Sequence, residues 1–536
     1  MISKKAQIII IFLIIYSTAL GIRIYWLTQK NGFHVDEGMS VAITCYNDYI
    51  IAKNYEVNRE YSGKEVREES LVSDASLKGA LRDIGNLWKD NRDPPHTNFY
   101  YSFFRLSLIG MKTGDIKLII FRGGILNLIF FTLSFVFFFL LMRLLFPSSA
   151  PLQFLATACA FLSTAAISNT LFLRPYQLQE TIFIIFCYCF VKNINIKNFI
   201  CTDRSIILNK TLVLLCLSLV AAFTLLTGYY AVLFIGLFAI YIIYINCRNK
   251  TFTEILFYFF ALCLGVLFAL VLYPKYFIGF SSYRATETTR TLFVNLTGNL
   301  INSLKTAGVL ITEHFFTYPV LALCVICIII LILYKQKLII QKQGLFIFIA
   351  SLIYIIVTLI IAPYKVLRYV MPVFPFLVIF PVMIIGSVKE RVKNISIAVM
   401  LIFVLCFVTG ALNQNKIENL FSKKSDEYIF AKEKDTPVYI SMYYNPDWNY
   451  VGTWKYGNLV PYFNDEQKYY FIVNYEELYS SPYKEFYLVM EYFPGMENFE
   501  DSRFEILNEF EMTGGEPETG MSYFLGRKLR VKQEEE

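Results

Sequence analysis

Residues 255–273 read ILFYFFALCLGVLFALVLY, a run with no charged side chain. A helix rises 1.5 Å per residue, so about 20 apolar residues cross the roughly 30 Å of bilayer hydrocarbon. The apolar residues here are continuous, with no polar face left for water, which marks a membrane span rather than a half-buried helix. Applied along the chain, the same reading gives about eleven spans, at 6–27, 119–141, 150–170, 176–191, 211–227, 230–246, 255–273, 317–334, 345–362, 370–387 and 395–412. The first follows Lys4 and Lys5 as a signal peptide would, but it is too long and no small-residue cleavage site follows, so a retained anchor is expected. The fold class is therefore an all-α polytopic membrane bundle.

Composition agrees. The chain is 56% hydrophobic and 17% charged, with a mean hydropathy of +0.49, against about 25% charged residues in soluble domains. Its 50 Phe and 38 Tyr suit interfacial belts and a cavity lined by hydrogen-bonding rings. The net charge of +7 does not indicate a nucleic-acid partner, because the basic residues sit in short loops between apolar runs rather than on one basic face. Of the 11 cysteines, most lie inside apolar runs. Cys324 and Cys327 have the spacing of a metal or redox pair, yet in such surroundings they read as small packing residues. No cysteine follows Cys406, so the tail is not a disulfide scaffold.

The loops set the orientation. Lys4 and Lys5, Arg143, Lys192 to Lys210, Arg248 and Lys250, Lys335 to Lys342, and Lys389 to Lys393 all fall on one side of an alternating topology. The positive-inside rule makes that side the cytoplasm, which places the N-terminus inside and the C-terminus outside. Two regions remain outside the membrane: a first loop at 28–118, within a transmembrane domain at 1–412, and a soluble domain at 413–536. In the latter, Val438–Met442, Tyr469–Val473 and Phe486–Met490 read as strands of a small mixed α/β fold.

Four constellations carry chemistry. His34-Val35-Asp36-Glu37 sets two adjacent carboxylates just beyond the first span. A partly desolvated carboxylate is a good general base, although a solvated acidic step outside a helix fits the pattern equally. Arg92-Asp93-Pro94-Pro95-His96 is a stiff turn leading into a helix from Asn98 to Gly110, suited to a site of fixed geometry or simply to starting that helix. Arg174-Pro175-Tyr176-Gln177 opens the fourth span. The helix N-terminus and a guanidinium there make an anion site, with Gln177 on the same face, and a lipid-snorkelling Arg is the plain alternative. Lys365-Val366-Leu367-Arg368-Tyr369 puts positive charge on the outer side, with Lys365 and Arg368 one helical turn apart and able to clamp one phosphate. Tyr229 and Tyr230 are lesser candidates, as are Arg122 at the outer start of the second span and Lys275, Arg284, Arg290, Glu313 and His314 in a loop of about forty residues, with plain interfacial residues as the alternative. There is no P-loop, GxGxxG or HExxH motif.

In this order, the acidic pair, the Pro-Pro turn, Arg174-Pro175-Tyr176, Gly228-Tyr229-Tyr230-Ala231 and Arg368-Tyr369-x-x-Pro372 resemble the membrane glycosyltransferases of the GT-C superfamily. More narrowly, they are similar to the bacterial relatives of protein O-mannosyltransferases and lipid A aminoarabinose transferases. The resemblance covers roughly residues 1–410 and departs at Asp93-Pro94-Pro95-His96, where many relatives read His-Pro-Pro. It implies juxtamembrane helices in the first loop and a polyprenyl-phosphate sugar as donor. It implies Asp36 as catalytic base, supported by Glu37, and Arg174, Arg368, Lys365, Tyr176 and Tyr369 around the donor phosphate. Arg92, Asp93, His96, Gln177, Tyr229 and Tyr230 would then position the acceptor or the loops. A divalent metal on Glu37, His34 or His96 is an option that no spacing compels. The expected partners are the lipid-linked sugar, membrane lipids and an acceptor glycan, lipid or protein, at a bacterial inner membrane. The competing classes are a transporter or flippase of lipid-linked saccharide and a polysaccharide ligase or polymerase. A transporter would carry ionisable groups at mid-membrane, whereas these motifs gather at one face.

Overall fold

This computed structural model describes residues 3–46, 56–91, 96–194, 204–281, 296–388, 393–420, 433–441, 444–445, 450–451, 459–460, 463–492, 501–512 and 523–532. All eleven apolar windows fall on helices. In chain order the helices are α1 (Lys4–Gln29), α2 (Val35–Thr44), α3 (Gly63–Leu71), α4 (Leu77–Lys89), α5 (Asn98–Ser107), α6 (Ile116–Leu145), α7 (Ala150–Leu162), α8 (Thr164–Leu171), α9 (Tyr176–Ile194), α10 (Arg204–Leu226), α11 (Ala231–Asn249) and α12 (Phe252–Leu272). They are followed by Leu296–His314, Tyr318–Leu333, Lys342–Ile361, Ile379–Val388 and Lys393–Ala411. Among the described residues, six helices are long and apolar enough to cross a membrane, or up to eight if each of two bent pairs counts as one span.

The difference from eleven has local causes. Window 150–170 breaks by 53° between α7 and α8, where Ser163 leaves helical geometry and caps the second piece through Ala166 N. The windows at 211–227 and 395–412 hold shorter apolar helices among the described residues, Lys210–Leu226 and Ile397–Ala411. The window at 370–387 is one of the six, although it starts as a 3₁₀ turn, Met371–Val378, because Pro372 and Pro375 cannot join an α-helical hydrogen-bond ladder. The stretch expected as a loop of about forty residues contains the helix Leu296–His314, which meets Tyr318–Leu333 at 92°.

The chain divides into two compact units. The first comprises Met1–Leu27, Trp88–Tyr100 and Gly124–Glu418. Its core is aromatic: Phe131, Phe135 and Phe138 pack on Phe161, and Phe183 stacks on Phe234 at 4.4 Å. Its outer surface is apolar as well, with Ile10, Leu13 and Ile14 on α1 and Leu256, Phe259, Phe260 and Leu267 on α12 all exposed. Water would not tolerate so continuous an apolar surface, and hydrocarbon does. This is a multi-pass membrane protein.

The second unit comprises Thr28–Leu87, Tyr101–Gly123 and Asn419–Glu536. It is built on a six-stranded mixed sheet of order β1-β5-β2-β6-β8-β7. The strands are β1 (Glu60–Ser62), β2 (Val438–Ser441), β5 (Lys468–Ile472), β6 (Glu485–Tyr492), β7 (Phe504–Met512) and β8 (Tyr523–Val531), and β3 (Tyr444–Asn445) pairs separately with β4 (Tyr450–Val451). β2 runs parallel to both β5 and β6, and the other pairings are antiparallel. The edge strand β1 comes from the first loop, so the loop and the tail share one sheet. Tyr439, Ile472, Phe486, Leu488, Met490 and Leu529 form its core.

Candidate functional site

In the second unit, the sequence His34-Val35-Asp36-Glu37 folds as a helix start. His34 is extended (φ −67°, ψ 151°) and its Nδ1 accepts the Asp36 N–H at 3.1 Å. Glu37 reaches back, and its Oε2 accepts the His34 N–H at 2.7 Å, which completes a capping box. The same carboxylate accepts from Lys30 Nζ at 3.0 Å, with both side chains fully buried. Lys30 also donates to the Asn419 carbonyl at 2.5 Å. Burial pulls the Lys30 ammonium below its ordinary value, and Glu37 partly offsets the shift.

The adjacent carboxylates thus divide by environment. Glu37 is committed to a cap and an ion pair, both through Oε2. His34 has spent Nδ1 on the cap and lies 3.7 Å from Asp36 Oδ2. Asp36 keeps its side chain 17% exposed in the first turn of α2. Among the described residues, no group of three or more His, Cys, Asp or Glu side chains is arranged to hold a metal ion.

The first unit holds the cations. Between α8 and α9 the chain turns tightly at Phe172–Pro175, with Arg174 N donating to Phe172 O at 2.8 Å. Pro175 disfavours helical geometry at Arg174, so the helix restarts only at Tyr176. Arg174 is 4% exposed, and its Nη2 lies 3.4 Å from each ring nitrogen of His96. His96 is in turn held by Asn91, whose amide donates to its carbonyl at 2.7 Å.

Rings join this turn to the segment carrying Arg368. Tyr176 stacks on Phe172, meets His96 edge-on at 6.4 Å, and meets Tyr369 at 6.2 Å. Tyr369 also meets Tyr230 at 5.9 Å, and Tyr229 packs against Tyr276 at 5.2 Å. Arg368, 7% exposed, sits in a 3₁₀ turn with its guanidinium carbon 5.4 Å from the Tyr369 ring centre. Arg174, Arg368, Tyr176, Tyr369, Tyr230 and His96 therefore belong to one neighbourhood. Arg92, Asp93, Arg284 and Arg290 lie outside the described residues.

Two expectations fail here. Lys365 and Arg368 do not lie one turn apart on a helix, because Lys365 precedes the 3₁₀ turn Leu367–Tyr369. The Lys365 ammonium instead donates to Asn299 Oδ1 (2.5 Å), Ser303 Oγ (2.9 Å) and the Leu359 carbonyl (2.7 Å), so its three protons tie two helices together. Burial lowers its proton affinity from the ordinary value. Nor does Gln177 share a helical face with Arg174, which lies before the first turn. Gln177 is fully buried, accepts from Thr170 Oγ1 at 2.8 Å and donates to Glu180 at 3.0 Å.

That contact opens onto a buried polar network the sequence reading missed. Arg23 donates to Thr170 Oγ1 (2.9 Å) and to the Phe161 carbonyl (2.8 Å), and lies over the Phe131 ring at 3.9 Å. Glu180 accepts from Asn169 Nδ2 and Gln177 Nε2, each at 3.0 Å. Arg23, Asn169 and Glu180 are all fully buried. The signal was present: an ionisable residue inside an apolar window is rare enough to single out on its own. The lesser candidates have structural partners, since Arg122 donates to the Ser107 and Ile109 carbonyls, Lys275 pairs with Asp90, and His314 faces Glu418 at 3.8 Å.

No protein-family model matches the chain, and no curated protein matches it. Among solved structures, the crystal structure of ArnT from Cupriavidus metallidurans in the apo state aligns with a TM-score of 0.50 at 11% identity, over 98% of each chain. The same protein bound to undecaprenyl phosphate aligns at 0.49 and 10% identity, over 96% of this chain and 97% of that one. At this identity the likeness is one of fold.

Proposed function

We propose that this chain is an inverting glycosyltransferase that moves a sugar from a polyprenyl-phosphate donor to an acceptor hydroxyl on the extracytoplasmic face of the membrane. The observation that supports the reading is that Arg174 and Arg368 are both buried and that Tyr176 and Tyr369, which lie next to them in the chain, meet at 6.2 Å. A buried arginine offers fixed, permanently charged donors, which suits a phosphate whose negative charge grows as it leaves. The sequence resemblance supplies the donor class, and the distribution of Lys and Arg among the loops supplies the face.

In the proposed reaction, Asp36 accepts the proton of the acceptor hydroxyl as its oxygen attacks the anomeric carbon. The bond from that carbon to the phosphate oxygen breaks, and polyprenyl phosphate departs with the electron pair. Direct displacement inverts the anomeric centre. Glu37 is held in a buried ion pair with Lys30, which favours Asp36 over it for this role. Tyr230 and His96 would order groups around the donor, and the acceptor would be a cell-envelope glycan, lipid or protein.

The test is binding of undecaprenyl phosphate to the purified protein. Arg174→Ala and Arg368→Ala should each weaken it by roughly 10- to 100-fold, the range for one lost charge-assisted phosphate contact. Unchanged affinity in both variants refutes the donor site.

One observation favours a second reading. Arg23 and Glu180 are ionisable groups buried among apolar helices, a mark of transport pathways. A transporter of lipid-linked saccharide would move its cargo across proteoliposomes without chemical turnover, whereas the transferase would consume donor.

A further inference from the structure

The turn that presents Arg174 is held from outside its own segment. Helix α8 ends at Leu171, and the last carbonyls of a helix have no partner within it. Two carbonyls here, Thr170 O and Phe172 O, lie in apolar surroundings, where an unmade hydrogen bond is costly. Both are met by one side chain on a different helix. Asn127 of α6 is fully buried, and its amide nitrogen donates to Thr170 O at 3.0 Å and to Phe172 O at 2.9 Å. Its oxygen accepts the Tyr100 hydroxyl at 3.3 Å, which fixes the amide with its nitrogen towards the turn.

Phe172 O is the decisive atom. It also accepts the backbone N–H of Arg174 at 2.8 Å. The carbonyl that closes the tight turn at Arg174 is thus the one Asn127 grips. We infer that Asn127 is a positioning residue: it holds the Phe172–Arg174 turn so that the Arg174 guanidinium is preorganised for the donor phosphate. This rests on the proposed role of Arg174. Leucine, of similar branched shape, would be the ordinary occupant of such a helix in so apolar a bundle. An amide with all its polar atoms engaged serves instead to fix geometry.

The test is a double-mutant cycle read by undecaprenyl phosphate binding. Asn127→Leu is expected to weaken binding roughly tenfold, the effect of misplacing one charged contact. In the Arg174→Ala background the same change is expected to cost less than about twofold, because Asn127 acts through Arg174. Equal losses in the two backgrounds overturn the inference. Thr132→Val, which removes the α6 contact to Tyr16 at 2.9 Å, is the control and should leave binding as it was.

A second readout needs no donor. Phenylglyoxal modification of Arg174, followed by peptide mass spectrometry, should be slow in the native protein and several-fold faster in Asn127→Leu. Unaltered labelling overturns the inference. Because the leucine variant risks misfolding, Tyr100→Phe is measured beside it. That change frees the amide to rotate and should raise labelling in the same direction by a smaller factor, and no rise counts against the inference. If the native protein binds no undecaprenyl phosphate, the proposed function falls, and the labelling still decides whether Asn127 positions Arg174.

Discussion

Replacing Glu37 by Leu should unfold the second unit long before it reveals anything about catalysis. The Lys30–Glu37 pair is fully buried at 3.0 Å, and removing one partner of such a pair strands a charge at a cost of about 3–5 kcal/mol. Glu37 Oε2 also accepts the His34 N–H at 2.7 Å, and losing that half of the capping box costs about 1 kcal/mol more. In a unit of about 200 residues, each kcal/mol moves the midpoint by about 2–4 °C, so the fall should be about 8–24 °C. Adding Lys30→Met removes the stranded charge and should recover all but the cap and the Asn419 carbonyl contact, about 2 kcal/mol together, leaving a deficit of about 4–8 °C. Scanning fluorimetry in detergent, read as the order of midpoints at one heating rate, measures this even if unfolding is irreversible. A Glu37→Leu midpoint equal to that of the native protein, or a double variant as weak as the single, would show that Glu37 is not the structural member of its pair.

Two further outcomes follow from the same contacts. Lys365→Met leaves Asn299, Ser303 and the Leu359 carbonyl without their donor. It should lower stability by about 2 kcal/mol while changing undecaprenyl phosphate affinity less than twofold; a tenfold loss of affinity in equilibrium binding would restore Lys365 to the phosphate site. In the sheet, the Lys528 ammonium holds the Glu433 carboxylate below its ordinary range near 4.5, and Arg530 does the same for Glu485. A carboxylate depressed on folding stabilises above its unfolded value and loses that contribution as pH falls through the folded one. The midpoint should therefore drop as pH falls from about 6 towards 3, and less steeply in Lys528→Met; parallel pH profiles for the two proteins would refute the linkage.

The sequence made the helices legible because membrane spans are written in composition. Unbroken runs such as 255–273 need no knowledge of what they pack against. It made the breaks less legible, because Ser163 and Pro372 change direction inside windows whose mean hydropathy stays high. The helix Leu296–His314 escaped for the opposite reason: its Asn299, Ser303, Lys305 and Thr306 interrupt the apolar pattern, and two of these polar groups turn out to serve Lys365. At the site, Arg174, Arg368 and the tyrosines were visible as charge and aromatic character at span ends. The division of labour between Asp36 and Glu37 was not, since it depends on Lys30 and on the Asn419 carbonyl, far away in the chain. Asn127 was invisible because a single amide in an apolar run has no motif.

The central claim is sugar transfer with Asp36 as base. The most direct measurement is turnover by purified protein in lipid nanodiscs, offered a panel of undecaprenyl-phosphate sugars and an acceptor-containing membrane extract. Native protein and Asp36→Asn are compared at matched amounts and matched thermal midpoints. The account predicts that the native protein consumes one donor, and that Asp36→Asn binds that donor equally well yet turns it over at least about 100-fold more slowly, the contribution of a general base. Turnover by Asp36→Asn at the native rate would contradict it.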